Sequence, residues 1–161
     1  MNGVSDSSFA PNDTTTRAQI VTLLYRLEGE PDVDNAIDFT DVPEGEWYSD
    51  AVRWAAGEDI VEGYGNGLFG TNDPVTREQL AAIFYRYAVC KGYDVSIGED
   101  TNILSYEDFS DLSEYAIPAM QWACGTGIVN GTSESTLGPQ GNATRAQIAA
   151  ILMRFCENAA Q

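Results

Sequence analysis

Three arginines stand at helix starts, where a cation is electrostatically misplaced. Arg17, Arg77 and Arg145 occur in Thr16-Arg17-Ala18-Gln19, Thr76-Arg77-Glu78-Gln79 and Thr144-Arg145-Ala146-Gln147. A threonine at the N-cap with glutamine at N3 makes a capping box, each side chain satisfying a backbone N–H near the helix start. That assigns Thr16, Gln19, Thr76, Gln79, Thr144 and Gln147 as structural caps and leaves the arginines unexplained. In the first helical turn the macrodipole is already positive, so a cation there costs roughly 0.3–1 kcal/mol. Each arginine therefore needs a partner. Carboxylates of the chain are one choice: Asp13 and Asp73 lie four residues before the first two arginines, but Gly141 takes that place before the third. A bound anion is the other, because a forked guanidinium beside helix N–H groups suits a carboxylate or phosphate.

Other chemistry is scarce. The chain of 161 residues carries 8 Lys+Arg against 25 Asp+Glu and no histidine, a net charge of −17. Without histidine there is no ordinary general base, no usual zinc ligand and no Ser-His or Cys-His nucleophile pair. Paired carboxylates are expected by chance among so many acids, and no nucleophile motif or glycine-rich phosphate loop accompanies them, so no enzymatic activity, cofactor or metal is expected. The acidic balance repels a phosphate backbone and argues against nucleic acid. No apolar run reaches the roughly 18–20 residues of a membrane helix. Cys90, Cys124 and Cys156 form no Cys-x-x-Cys pair, which points to buried free thiols and leaves a Cys124–Cys156 bridge open.

The elements that position the arginines repeat. The Thr-Arg-x-Gln starts lie 60 and then 68 residues apart, each preceded by a large apolar residue (Phe9, Phe69, Leu137) and a glycine (Gly3, Gly63, Gly131). Ten residues after each threonine comes a further arginine: Arg26, Arg86 and Arg154. Apolar spacing of 3.6 residues predicts helices over 17–27, 77–90 and 145–157. A second block precedes only the later two copies, with Phe39-Thr40-Asp41 answered by Phe109-Ser110-Asp111, and Trp54 by Trp122. It predicts helices over 47–56 and 115–124, stopped by Gly57 and Gly125 in left-handed conformation. Met1 aligns with Val61 and Val129, so the chain reads as two and a half repeats: 1–30 the second half of the first, 39–91 the second and 109–158 the third. Segments 31–38 and 92–108 are connectors; Ile97, Ile103 and Leu104 in the longer one are expected to dock on the core. The fold is mainly α, built of helix-loop-helix units, the first without its N-terminal helix.

Phe-x-Asp-Val, a tryptophan-bearing helix, the Gly-Ile-Val-x-Gly turn, the Phe-x-Pro or Phe-x-x-x-x-Pro loop and Thr-Arg-x-Gln together resemble the S-layer homology domain, over nearly the whole chain. The family's helix start is of the Thr-Arg-Ala-Glu type; all three copies here carry glutamine fourth. The resemblance implies a pseudo-threefold, three-pronged helical assembly that anchors bacterial surface proteins non-covalently to secondary cell-wall polysaccharide, often pyruvylated. It implies ligand in grooves between repeats, contacts from Arg17, Arg77 and Arg145, an extracellular location at the cell surface or wall, and a signal peptide in the parent protein. A pyruvate ketal is a carboxylate, the kind of anion the helix argument asks for. The competing function is a helical protein-interaction or scaffold module, disfavoured by a period longer than the roughly 34–47 residues of common helical solenoids.

Among aromatics, Trp54 and Trp122 lie on apolar helix stripes and are expected in the core. Tyr64, in the glycine loop ahead of an arginine helix, is a ligand-binding candidate, and Trp47 could stack on a sugar face. The acids Asp32, Asp34, Asp38 and Asp41 lack the EF-hand pattern and read as a solvated connector. With the first repeat half built, the stripe Ile20, Leu23, Leu24 and Leu27 is expected to lack its partner helix and either fray or self-associate.

Overall fold

The computed structural model describes residues 1–34 and 38–159; part of connector 31–38 thus lies outside the described residues. Five α-helices form: α1 (Arg17–Leu27), α2 (Ser49–Gly57), α3 (Arg77–Cys90), α4 (Ile117–Gly125) and α5 (Arg145–Asn158). Short 3-10 turns accompany them, and among the described residues the only β-structure is isolated bridges, so the chain is helical. The three arginine helices start alike. Thr16, Thr76 and Thr144 are extended N-caps, and each accepts a hydrogen bond from the N3 amide while the N3 glutamine accepts one from the cap amide. Pro118 sits in the first turn of α4, where its missing N–H costs nothing.

Gly57 and Gly125 do not stop their helices in left-handed conformation. Both belong to the last helical turn, and the left-handed residues come two positions later, Asp59 at φ 57° and Gly127 at φ 71°. At Gly125 the reason for glycine is space: a Cβ would run into Thr101 Oγ1.

The chain divides into two compact units that cut across the sequence repeats. One comprises Met1 and Thr15–Pro74, with α1 and α2; the other comprises Asn2–Thr14 and Val75–Gln161, with α3, α4 and α5. In the first, α1 packs on α2, and Tyr25 meets Trp54 with ring centroids 5.7 Å apart. In the second, α3 packs on α4, and Tyr85 meets Trp122 edge-on at 5.6 Å. The first helix of a repeat therefore lies on the second helix of the repeat before it. This pairing overturns the expectation for α1: Ile20 and Leu24 are fully buried, Leu23 is half-buried, and only Leu27 is exposed. The packing partner of α1 is the next repeat's helix, α2.

Each unit buries its own core. Ile20, Leu24, Val52, Ile60 and Phe69 serve the first, and Leu80, Met120, Trp122, Ile128 and Leu137 the second, all with no exposed surface. A side chain of this kind contributes at most about 1.5–3 kcal/mol on burial. In the longer connector a 3-10 turn, Ser96–Gly98, packs on α4, where a Cβ on Gly98 would come within 3.0 Å of the Trp122 amide. Of the three apolar residues expected to dock there, Ile103 is buried, whereas Ile97 and Leu104 are exposed. Trp54 and Trp122 are core residues and Trp47 is exposed. The cysteines depart from expectation: Cys90 and Cys156 are exposed, Cys124 is half-buried, and none forms a disulfide. Burial pushes the Cys124 thiol up to about 11, with the Arg77 charge opposing, so it stays protonated at neutral pH.

Candidate functional site

The partners of the three arginines are backbone carbonyls. Arg17 Nε donates to Phe69 O at 2.9 Å and its Nη2 to Glu62 O at 2.7 Å. Arg77 repeats this on Leu137 O and Asn130 O, both at 2.8 Å. Arg145 repeats it on Phe9 O and Asn2 O, at 2.9 and 2.6 Å. All three side chains are buried, each with 7% of its surface exposed. The positions gripped are the same in every copy: the residue before the loop glycine, and the large apolar residue at the loop's end. Each arginine holds the loop of the following repeat, and the third holds the loop of the first.

The helix N–H groups follow the guanidinium. Arg17 N and Ala18 N donate to Asp73 O and Thr71 O; Arg77 N and Glu78 N donate to Gly141 O and Pro139 O; Arg145 N and Ala146 N donate to Asp13 O and Pro11 O. With the threonine cap on N3, the orphan amides of each helix start are satisfied within the protein. Charge-assisted bonds to carbonyls, worth about 1.5–3 kcal/mol each, offset the unfavourable macrodipole. Asp13 and Asp73 thus serve through their main-chain oxygens, and an anion is not needed at the helix N-terminus. Neither partner weighed from sequence had included the loop backbone.

Aspartates complete the loops. Asp41 accepts from the amides of Phe69, Gly70 and Thr71 at 2.7, 2.7 and 3.2 Å. Its counterpart is Asp108, which accepts from Leu137 and Gly138. The residue paired with it by sequence, Asp111, lies three positions on. Phe39 is likewise answered by Tyr106: their rings lie where a Cβ on Gly63 and on Gly131 would point. The slip arises because the connector brings 106–108 into register 67 residues after 39–41, while the helices that follow are offset by 68. Burial pushes the Asp108 carboxyl up, but the two loop amides and the Arg77 charge outweigh it and hold it below its ordinary value. A depressed folded-state pKa gives stability that is present above the unfolded value near 3.9 and is lost as pH falls through the folded one. Asp108→Asn is therefore expected to lower the melting temperature at pH 7, and the gap from the parent chain should close below about pH 4. A gap constant from pH 3 to 7 would show that the carboxylate charge plays no part.

The exposed chemistry differs among copies. Tyr64 is half-exposed; its ring covers the Arg17 guanidinium at 4.9 Å, its hydroxyl donates to Asp73 Oδ2 at 2.8 Å, and Phe69 lies on the same guanidinium at 4.6 Å. Around Arg77 the corresponding residues are Thr132 and Leu137, so this aromatic cover has no counterpart there. An open groove of about 520 Å³ lies at Arg77 instead. Arg77, Asn130, Gly131 and Thr132 line one side, and Ala146, Gln147, Ala150, Ile151 and Arg154 of α5 the other. Arg154 is half-buried and donates from Nη1 to Ile128 O at 3.5 Å.

A family model described as the S-layer homology domain matches residues 1–21, 38–81 and 106–149, well over half of the sequence. The chain belongs to the S-layer homology domain family. The second and third matches begin at Asp38 and Tyr106, within the blocks that carry Asp41 and Asp108. Relatives include an amylopullulanase of Thermoanaerobacterium thermosulfurigenes, 35% identical over 98% of this chain and 8% of its own length. Exoglucanase XynX of Acetivibrio thermocellus is 31% identical over 98% of this chain and 14% of its own. A cellulosome-anchoring protein of the same species is 22% identical over 98% and 35%. The S-layer homology chain thus spans a small part of the relatives it matches.

Arg154 carries the groove's second cation and was not singled out from sequence. Its recurrence, ten residues after each motif threonine, was the signal. On α5, Gln147, Ile151 and Arg154 also fall at i, i+4 and i+7, one face of the helix. Among the described residues no group of three or more acids or cysteines could hold a metal ion, and no helix is long and apolar enough to cross a membrane. Asp41 is occupied by loop amides, and Asp38 lies 3.6 Å from Arg53.

Proposed function

We propose that this S-layer homology segment anchors a bacterial surface protein non-covalently to the cell wall by binding an anionic, pyruvylated secondary polysaccharide, and that it is not itself catalytic. The observation that carries this reading is the convergence of two guanidiniums, Arg77 and Arg154, on one open groove in a chain of net charge −17. Local positive potential is preserved there while carboxylates dominate elsewhere. A ketal carboxylate would sit between the guanidiniums, with Thr132 and Gln147 offering polar groups to sugar hydroxyls. Arg17 and Arg145 hold corresponding loops and are proposed to serve equivalent sites, with Tyr64 presenting its half-exposed ring to a sugar face. Relatives named as a cell surface glycoprotein and a surface layer protein support an extracellular, wall-associated location. Long-range repulsion from −17 charges is confined by a screening length near 10 Å at 0.1 M salt.

The test is a titration with purified wall polysaccharide, intact and after mild acid removal of its ketals. Arg154→Gln is expected to weaken binding about 10- to 100-fold, the equivalent of one charge-assisted contact, with the melting temperature unchanged. Equal affinity for intact and ketal-free polymer, or unaltered binding by Arg154→Gln, would refute the assignment.

A further inference from the structure

Of the three loops gripped by arginines, only the one held by Arg17 pairs a phenol with an acid. The Tyr64 ring lies over the Arg17 guanidinium at 4.9 Å, and its hydroxyl donates to Asp73 Oδ2 at 2.8 Å. Its amide donates to Leu68 O at 2.8 Å. Gly70 leaves room for this arrangement: a Cβ there would meet the Tyr64 ring at 2.5 Å, its hydroxyl at 2.6 Å and Asp73 Oδ2 at 2.7 Å. The ring is thus fixed by a cation, a carboxylate and the loop backbone, yet it stays 48% exposed. Burial and the Asp73 bond push the Tyr64 hydroxyl above its ordinary value against the opposing Arg17 charge, so it remains a donor at neutral pH. The equivalent positions are Thr132 and Gly141 in the loop held by Arg77, and Val4 and Asp13 in the loop held by Arg145. Thr132 sits on Gly138 as Tyr64 sits on Gly70, since a Cβ on Gly138 would meet Thr132 Cγ2 at 2.9 Å. Its hydroxyl, however, bonds within its own loop, to Thr136.

Two of these loops therefore offer different chemistry to a sugar. In the Arg77 groove a ligand carboxylate meets Arg77 and Arg154, with Gly141 where the other two copies have an acid. At Arg17 the same carboxylate meets Asp73 beside the cation, and the Tyr64 ring stands between it and the guanidinium. A like charge so close disfavours an anion. An uncharged sugar residue incurs no such penalty and can lay its C–H face on the aromatic plane. We propose that Tyr64 and Asp73 set the specificity of the Arg17 loop: the fixed ring takes the uncharged face of a sugar residue, and the Asp73 carboxylate excludes a residue that bears a ketal. This rests on the reading of the arginine loops as polysaccharide sites, and it assigns different residues of the polymer to two of them.

The experiment titrates the chain with a methyl hexopyranoside, with and without a pyruvate ketal, and follows amide resonances by NMR. The ketal-free glycoside is expected to move the signals of Tyr64, Gly70 and Thr71. The ketal glycoside is expected to move those of Gly131, Thr132 and Gln147 and to leave the Tyr64 loop in place. Asp73→Asn removes the charge while keeping an acceptor for the phenol and the main-chain oxygen that receives the Arg17 amide. It should tighten the ketal glycoside at the Tyr64 loop about 10-fold, with the groove signals responding as before. Tyr64→Thr should abolish the response of Gly70 and Thr71 to the ketal-free glycoside, and an unchanged melting temperature shows that the loop is intact. A ketal glycoside that moves both loops equally in the original chain, or no gain on Asp73→Asn, overturns the proposal. Groove signals silent toward the ketal, with the Tyr64 loop still answering the ketal-free glycoside and Tyr64→Thr abolishing that answer, would overturn the ketal reading of the groove and support the stacking role of Tyr64. No response to either glycoside overturns both.

Discussion

Arg77→Ala is expected to lower the unfolding free energy by about 3 kcal/mol and to eliminate polysaccharide binding at the groove it lines. The guanidinium is buried, and its Nε and Nη2 hold Leu137 O and Asn130 O, the two ends of one loop. Truncation removes two charge-assisted bonds and strands two carbonyls. Burial pulls the pKa of this guanidinium below its ordinary value, yet arginine stays charged throughout the range in which proteins are folded. Arg77→Lys should recover little, since an ammonium cannot reproduce the fork that spans both carbonyls. Urea denaturation read beside the binding titration separates the roles. Arg154→Gln is expected to lose affinity alone, and Arg77→Ala affinity and stability together. Unchanged stability in Arg77→Ala would show that the guanidinium does not hold the loop; lost stability with retained affinity would show that the ligand depends on Arg154 and not on Arg77.

Much of this was legible in the residues, and what was not has a physical reason. Repetition gave the helices, the caps and the three arginines, because capping chemistry and helical periodicity are local. The electrostatic argument that a cation at a helix start needs a partner was sound, but the partners are carbonyls 45, 53 and 143 residues away in sequence. Main-chain oxygens have no sequence signature. Asp108 was hidden behind Asp111 for a related reason: an aspartate bound to loop amides is recognised by the loop it serves, and Phe109-Ser110-Asp111 copies the local pattern of Phe39-Thr40-Asp41 without that loop. The pairing of α1 with α2 was missed because sequence repeats invite each repeat to be folded on itself. Packing instead joins consecutive helices across the connector, α1 with α2 and α3 with α4.

Trp122 is the core position at which truncation should cost most, and its neighbours make the series of substitutions informative. The side chain has no exposed surface, meets Tyr85 at 5.6 Å and Phe155 at 6.3 Å, and its backbone is approached by the turn at Gly98. Trp122→Ala removes the largest side chain of the second unit and leaves a cavity whose walls are held by α3, α4 and that turn. Such substitutions cost about 3–5 kcal/mol. The indole N–H, however, is buried without a hydrogen-bond partner among the described residues. An unsatisfied buried donor carries a desolvation penalty of about 1–3 kcal/mol, and Trp122→Phe removes that donor together with part of the ring. Trp122→Phe is therefore expected to be far milder than its volume loss suggests, under about 1.5 kcal/mol. Paired urea melts of the two variants decide the matter. Equal losses would mean that the indole N–H is satisfied in solution, by water or by movement of the turn at Gly98, and that the ring's shape alone fixes α4 on α3.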